Sequence, residues 1–260
     1  PENHAAAAAE PNVITRHRHD YSLHRGLIMQ NTADDWRRLR WAYARLTEMV
    51  DHEIGRILAG LDDAGLADDT LVIFSSDHGD QDAAHGLSHK NVPYEESIRV
   101  PLIIAGAEVT QQGTRSHLVD NGPDLFATIC NYAGAELPEG CHGLSLRPIL
   151  TGLKLHGFHD YIVSEMLFDS LQDKPKARVI RSYRHKYIAF DRGRHREQLF
   201  DLLEDPGETQ NLAGEPACAA VLQEHREFLR EWCERTNDDF GGRHYGHPDT
   251  PYMVPADEYV

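Results

Sequence analysis

An α/β fold with a mostly parallel sheet, followed by a small antiparallel sheet, is the class this sequence predicts. Three observations carry that prediction. In the first half, β-branched apolar runs alternate with segments of helical periodicity. In the second half, short apolar runs are joined by tight links. Between Thr70 and Gly106 the segment TLVIFSSDHGDQDAAHGLSHKNVPYEESIRVPLIIAG reads as strand, polar loop, strand. Strand–helix alternation places helices on both faces of a mostly parallel sheet. Ligands bind beyond the carboxyl ends of such strands.

The chain has 260 residues, room for one large domain and a smaller companion. We place the core at 1–152 and a C-terminal subdomain at 153–260. Hydrophobic content of 40% and charged content of 26% are those of a globular protein. No apolar run approaches the roughly 18 residues of a membrane helix. The N-terminus lacks the basic-then-apolar layout of a secretory signal. The net charge of −16 repels a phosphate backbone and argues against nucleic acid as a partner. It leaves room for a small anionic substrate, since a metal and one lysine invert the field locally. The four cysteines, Cys130, Cys141, Cys218 and Cys233, form no CxxC pair and no zinc-finger spacing. A Cys130–Cys141 bridge and a reduced pair both stay open.

Taken in order, residues 1–31 read as weakly structured: AAAAAEP is low complexity and RHRHDYSLHRG is basic. Metal binding by His17, His19 and His24 is weighed there against a solvated loop, and the loop is preferred. Thr32 to Leu61 is the clearest helix. Trp36, Leu39, Tyr43, Leu46, Val50, Ile54, Ile57 and Leu61 recur at steps of three and four. Asp51, His52 and Glu53 point apart on a helix and cannot converge on an ion. Thr70–Ser75 and Val100–Ala105 read as strands, with a further short one at His117–Val119. Asn121 caps a helix with Pro123 in its first turn, closed by Gly134. Ser145–Leu150 is another helical turn or two. Beyond 153, Tyr161–Glu165, Arg178–Tyr183, Lys186–Phe190 and Glu197–Asp201 read as short strands, the middle two a hairpin. Glu215–Arg235 is a helix packing on that sheet.

The chemistry concentrates after the first strand. Asp77 supplies a hard oxygen ligand and His78 a nitrogen ligand, and at a strand-to-loop bend both can face one ion. Gly79 lets the backbone turn beside them. Taken alone, Asp-His-Gly is also ordinary turn chemistry. Asp80 reads as solvated or supporting. Lys90 is a compact positive charge suited to negative oxygen, or simply a solvated lysine. His85 is positioned to donate to an anion or leaving group, and His89 is the weaker candidate. Glu95 with Arg99 suggests a structural pair.

LVIFSSDHGD, HGLSHK and YEESIRVPLIIAG, in this order, resemble the sulfatase family of the alkaline-phosphatase superfamily. VIRSYRHKYIAF and EQLFDLLEDPGETQNLA resemble that family's C-terminal subdomain. The resemblance implies the C-terminal part of an α/β/α sandwich plus a small antiparallel sheet with a packing helix. It implies metal ligation by Asp77 and His78, and sulfate binding by Lys90, four residues before Tyr94-Glu95. His85 then becomes a contact or proton donor at the leaving alcohol. The family usually uses calcium, and a histidine ligand leaves magnesium, manganese or zinc open.

The family's Cys-x-Pro-x-Arg motif, whose cysteine becomes formylglycine, is absent here. So is its early Asp-Asp metal pair. The chain therefore reads as the C-terminal portion of a sulfatase, expected to be inactive by itself. The implied reaction is metal-dependent hydrolysis of a sulfate ester, with a sulfated carbohydrate as the first substrate class and choline or aryl sulfate as others. Two further readings stay open: a phosphonate or phosphate mono- or diesterase of the same superfamily, and a non-catalytic anion- or glycan-binding fragment. Oligomeric state and compartment, whether periplasmic, secreted or cytoplasmic, are not legible.

Overall fold

A computed structural model describes residues 1–6, 10–25, 31–113, 117–153 and 158–240, with backbone only for 20–25. The chain forms two compact units, both discontinuous in sequence. One unit comprises Pro1–Thr32, Asp80–Ile98 and Val163–Val260, and the other Ala33–Gly79 and Arg99–Ile162. The last of these joins falls at Ile162/Val163, about ten residues beyond the 152/153 boundary expected from the sequence. The first 32 residues and the segment 80–98 group with the C-terminal unit, because their apolar side chains enter its core.

Helix α1 is Asn12–Arg25 and α2 is Ala33–Asp63. The latter matches the predicted helix and passes through Gly60 before Gly65 (φ 67°) turns the chain. Arg37–Asp34 and Arg56–Glu53 pairs lie along its exposed surface. Of its residues only Trp36 is buried. Strand β1 is Leu71–Ser75, and β2 is Leu102–Gly106. They pair antiparallel, with Leu71 opposite Gly106 and Ser75 opposite Leu102. This corrects the parallel arrangement expected for these strands. The intervening α3, Glu95–Ile98, is a single turn, whereas parallel neighbours need a long crossover, usually a helix packed on the sheet. Gly106 has φ +101°, and a Cβ there would meet the Thr70 carbonyl oxygen at 2.1 Å. Helix α4, Pro123–Ala133, closes on Gly134 in the left-handed region, as predicted. Asn121 does not cap it: the cap position is Gly122, with no side-chain bond. Helix α5 is Arg147–Leu150. No strand forms at His117–Val119.

The first unit is built on a four-stranded sheet in the order β3 (Tyr161–Leu167), β4 (Lys176–Ser182), β5 (His185–Phe190), β6 (Glu197–Asp201). The β4–β5 and β5–β6 pairs are antiparallel, as predicted. Helix α6 is Ala219–Thr236 and buries Leu222, His225 and Leu229. The segment 11–25, expected to be a loop, contains α1. Its Val13 and Ile14 join Leu87, Val92, Tyr94, Phe168, Val179, Ile188, Phe190 and Phe200 in one buried cluster. Each large side chain so buried contributes about 2 kcal/mol. His17 is buried, its Nδ1 2.9 Å from Ser170 Oγ and its ring edge-on to Phe168. Arg16 forms a bidentate pair with Asp173. His19 is exposed and the side chain of His24 lies outside the described residues. The four cysteines are free.

Candidate functional site

In the unit containing β1, the strand ends at Ser75 and the chain bends through Ser76, Asp77, His78 and Gly79. Asn121 holds this bend from α4's leading edge. Ser75 Oγ donates to Asn121 Oδ1 at 2.7 Å, and Asn121 Nδ2 donates to the Ser76 carbonyl at 2.8 Å. Ser76 Oγ donates to the His78 carbonyl at 2.8 Å. Asp77 is exposed and its Oδ1 accepts the His78 N–H at 3.0 Å. His78 Nδ1 lies 2.8 Å from the Gly79 carbonyl. A carbonyl only accepts, so Nδ1 carries a proton, and in the neutral ring Nε2 keeps its lone pair. That Nε2 is 3.6 Å from Asp77 Oδ2. A histidine donating one ring N–H to a backbone carbonyl while presenting the other nitrogen beside a carboxylate is the arrangement of a metal ligand. Asp77 and His78 therefore fit two ligands of one divalent cation and fall short of a complete coordination sphere.

Lys90 and His85 belong to the other unit, where the segment from Asp80 to Ile98 wraps the sheet. Lys90 and His89 are exposed. Asp80 Oδ1 accepts the Asp82 N–H at 2.9 Å, a local turn bond. His85 is fully buried, stacked on Tyr94 with ring centroids 3.8 Å apart. Its backbone N–H donates to the Asn3 carbonyl at 2.7 Å, and Arg18 donates to its carbonyl at 3.1 Å. Burial pulls its pKa from 6.5 down to about 4. An enclosed ring of this kind packs its loop against Tyr94.

Behind His85 lies a buried polar cluster that the sequence did not reveal. His85, Glu96 and Glu208 offer ligand atoms within 4.8 Å of one another. Donors already stand among them. Asn3 Nδ2 is 2.7 Å from Glu96 Oε1, 3.1 Å from the Gly207 carbonyl and 3.5 Å from His85 Nε2. Lys186 Nζ, fully buried, is 2.6 Å from Glu208 Oε1 and 3.3 Å from Glu95 Oε1. The 2.6 Å approach is an ion pair without the angle of a directed hydrogen bond, since Glu208 Oε1 has no hydrogen-bond partner by geometry. Glu208 Oε2 accepts the Glu95 N–H at 2.6 Å. Glu95, expected beside Arg99, lies against Lys186 and Arg181, the latter at 3.4 Å. The Lys186 ammonium supplies the cluster's positive charge and the neutral Asn3 amide its donor, so it does not fit a resident metal.

Two family models cover the chain. One, described as sulfatase, matches residues 2–135, and the other, described as N-sulphoglucosamine sulphohydrolase, C-terminal, matches residues 83–235. This chain belongs to the sulfatase family. The Delta 4,5-hexuronate-2-O-sulfatase of Bacteroides thetaiotaomicron is 34% identical over 210 residues, 80% of this chain and 44% of the relative. The solved structure of a 2-O GAG sulfatase superposes with a TM-score of 0.82 at 30% identity, over 92% of this chain and 52% of that one. The phosphonate monoester hydrolase of Agrobacterium radiobacter gives 0.68 at 28% identity, over 80% of this chain and 44% of that one. The sulfatase chain thus spans about half the length of the relatives it matches, and its fold is theirs. No described helix is long and apolar enough to cross a membrane.

Proposed function

We propose that this chain carries the late metal ligands, Asp77 and His78, and the anion-binding lysine, Lys90, of an enzyme that hydrolyses sulfate esters. The observation that carries the reading is the His78 ring, held by the Gly79 carbonyl with Nε2 bare beside Asp77 Oδ2. The cation is calcium by family resemblance, and magnesium, manganese or zinc suit a histidine ligand equally. When bound, it supplies Lewis-acid polarisation of a sulfate oxygen. Asp77 and His78 hold and orient it. Lys90, exposed and carried on a tightly anchored loop, places a fixed positive charge against the sulfate oxygens as negative charge develops. The nucleophile, a formylglycine in this reading, comes from a segment other than these 260 residues, which contain no Cys-x-Pro-x-Arg motif.

A sulfated sugar is the proposed substrate class. The hexuronate-2-O-sulfatase and the 2-O GAG sulfatase among the relatives support it. The likeness to a phosphonate monoester hydrolase supports a second reading, in which the same residues serve phosphonate or phosphate esters. The test is a panel assay on the complete enzyme, comparing a 2-O-sulfated unsaturated uronide, an aryl sulfate and an aryl phosphonate monoester. Sulfate ester turnover that is lost with chelator, restored by a divalent ion and abolished in Asp77→Ala supports the first reading. A phosphonate preference, or turnover indifferent to Asp77, overturns it.

A further inference from the structure

The segment carrying Lys90 is strained. Asp82, Ala83, His85, His89 and Asn91 all have positive φ, between 43° and 76°, and Gly86 has 63°. Asn and Asp tolerate this region, but for the others it costs about 1 kcal/mol each. Such strain persists only where surrounding contacts over-determine it. Here the contacts come from remote parts of the same unit. Asn3 receives the His85 N–H, His4 Nδ1 lies 2.6 Å from the Ala83 carbonyl, and Arg18 holds the His85 carbonyl. At the far end Glu208 receives the Glu95 N–H, and Lys186 bridges Glu208 and Glu95. Lys186 and Glu208 are both fully buried. A buried ion pair is a poor source of stability compared with apolar packing, so its value here lies in the geometry it fixes. Between Lys90 and Glu95 the chain is short and stiff: Val92 and Tyr94 are buried in the core, and Pro93 has a fixed φ.

We propose that Lys186 and Glu208, together with Asn3, are positioning residues for Lys90: they clamp the strained loop at both ends and so fix where its ammonium stands. The proposal rests on the reading of Lys90 as the anion contact. The clamp couples that contact to β5 and to the DPGE turn, neither of which carries a residue proposed to touch substrate. Burial pushes the Glu208 carboxyl up to about 7 against the pull of Lys186, so Glu208→Gln resembles its protonated form and keeps an acceptor for the Glu95 N–H.

The experiment reads the loop and the anion separately, on the whole chain. Site-resolved trypsin cleavage after Lys90 is followed by mass spectrometry, with cleavage after Arg56 of α2 as the internal reference. In Lys186→Met and Glu208→Leu the ratio of the Lys90 cut to the Arg56 cut rises about tenfold, and in Glu208→Gln it stays within about twofold. Asn3→Ala keeps the carbonyl that receives the His85 N–H but removes the Nδ2 contacts to His85, Glu96 and the Gly207 carbonyl; it raises the ratio as well and, breaking no buried ion pair, serves where the Lys186 and Glu208 variants do not fold. A ratio unchanged in Asn3→Ala and in whichever buried variants fold, or both cuts accelerating together, overturns the clamp. Inorganic sulfate titrated against wild type and Lys90→Ala tests the anion contact independently: equal binding by the two overturns that reading and leaves the cleavage result standing. In the complete enzyme, Glu208→Leu raises KM and lowers kcat, while Glu208→Gln restores both toward wild type; equal loss in the two variants overturns the clamp.

Discussion

His78 turns Nε2 toward Asp77 Oδ2 at 3.6 Å while its Nδ1–H donates to the neighbouring Gly79 carbonyl at 2.8 Å. The tautomer of the neutral ring is thus set by backbone that immediately follows His78. His78→Gln, which cannot reproduce a bare ring nitrogen at that place, is expected to lower kcat/KM of the complete enzyme by about a hundredfold or more. Excess divalent ion should restore part of the loss. Asp77→Asn, which keeps the shape and removes the charge, should weaken the metal similarly. Both residues are partly or wholly exposed, so thermal midpoints should move little. The check is activity against metal concentration, beside a melting curve for each variant.

Lys90 is exposed on a loop whose own packing is made by its neighbours. Truncating it should therefore separate chemistry from folding. Lys90→Ala is expected to cost about a hundredfold in kcat/KM and to leave stability within about 0.5 kcal/mol. Lys90→Arg keeps the charge in a larger, forked head and should recover only part of the activity. Steady-state kinetics with a sulfated uronide, set against urea midpoints, decides both points.

The clearest elements in the sequence were those with dense local periodicity. Helix α2, the β4–β5 hairpin and the α4 stop at Gly134 could all be read from spacing. Helix α1 could not, because NVITRHRHDYSLHR carries little apolar pattern. What holds it is remote: Val13 and Ile14 in the sheet's core, Arg16 on Asp173 and His17 against Ser170. The direction of β2 was equally hidden, since an apolar run has composition but no sign. Asp77, His78 and Lys90 stood out by residue type and order. Asn3, Lys186 and Glu208 did not, because each looks solvated locally and gains its meaning from partners far along the chain. His85 shows the opposite case, a residue whose type is legible and whose surroundings are not. Its chemistry suggested a proton donor, and its burial against Tyr94 adds a packing role that spacing could not show.

That burial gives His85 a defined pH signature. Its pKa falls from 6.5 to about 4, first through desolvation, with Lys186 and Arg18 lowering it further and Glu10 and Asp205 opposing. The unfolded chain therefore binds a proton at higher pH than the folded one. The stabilisation from a neutral His85 is complete above pH 6.5 and is lost as pH falls toward about 4. A shift of this size corresponds to at most about 3 kcal/mol. His85→Phe keeps a flat ring over Tyr94 and removes the titration. Its urea midpoint should fall less steeply than wild type between those two pH values. Parallel curves for the two proteins would assign the acid sensitivity to other groups.

Helix α2 makes the last prediction, because its apolar stripe is not buried here. Ile57 is 71% exposed and Leu46 60%, with Tyr43 and Val50 also open. A stripe at regular helical spacing is costly to leave in water, at about 25 cal/mol per Å² of apolar surface. The sulfatase relatives extend well beyond the part this chain matches, which offers a source of cover. Leu46→Lys and Ile57→Lys should change the stability of these 260 residues by no more than about 0.5 kcal/mol each. In a protein of the relatives' full length the same changes should cost about 2 kcal/mol each, by burying a charge where an apolar group belonged. Binding of an apolar dye should fall in the first case and stay low in the second. Equal effects in both proteins would mean that the stripe faces solvent throughout, and that some property other than packing maintains it.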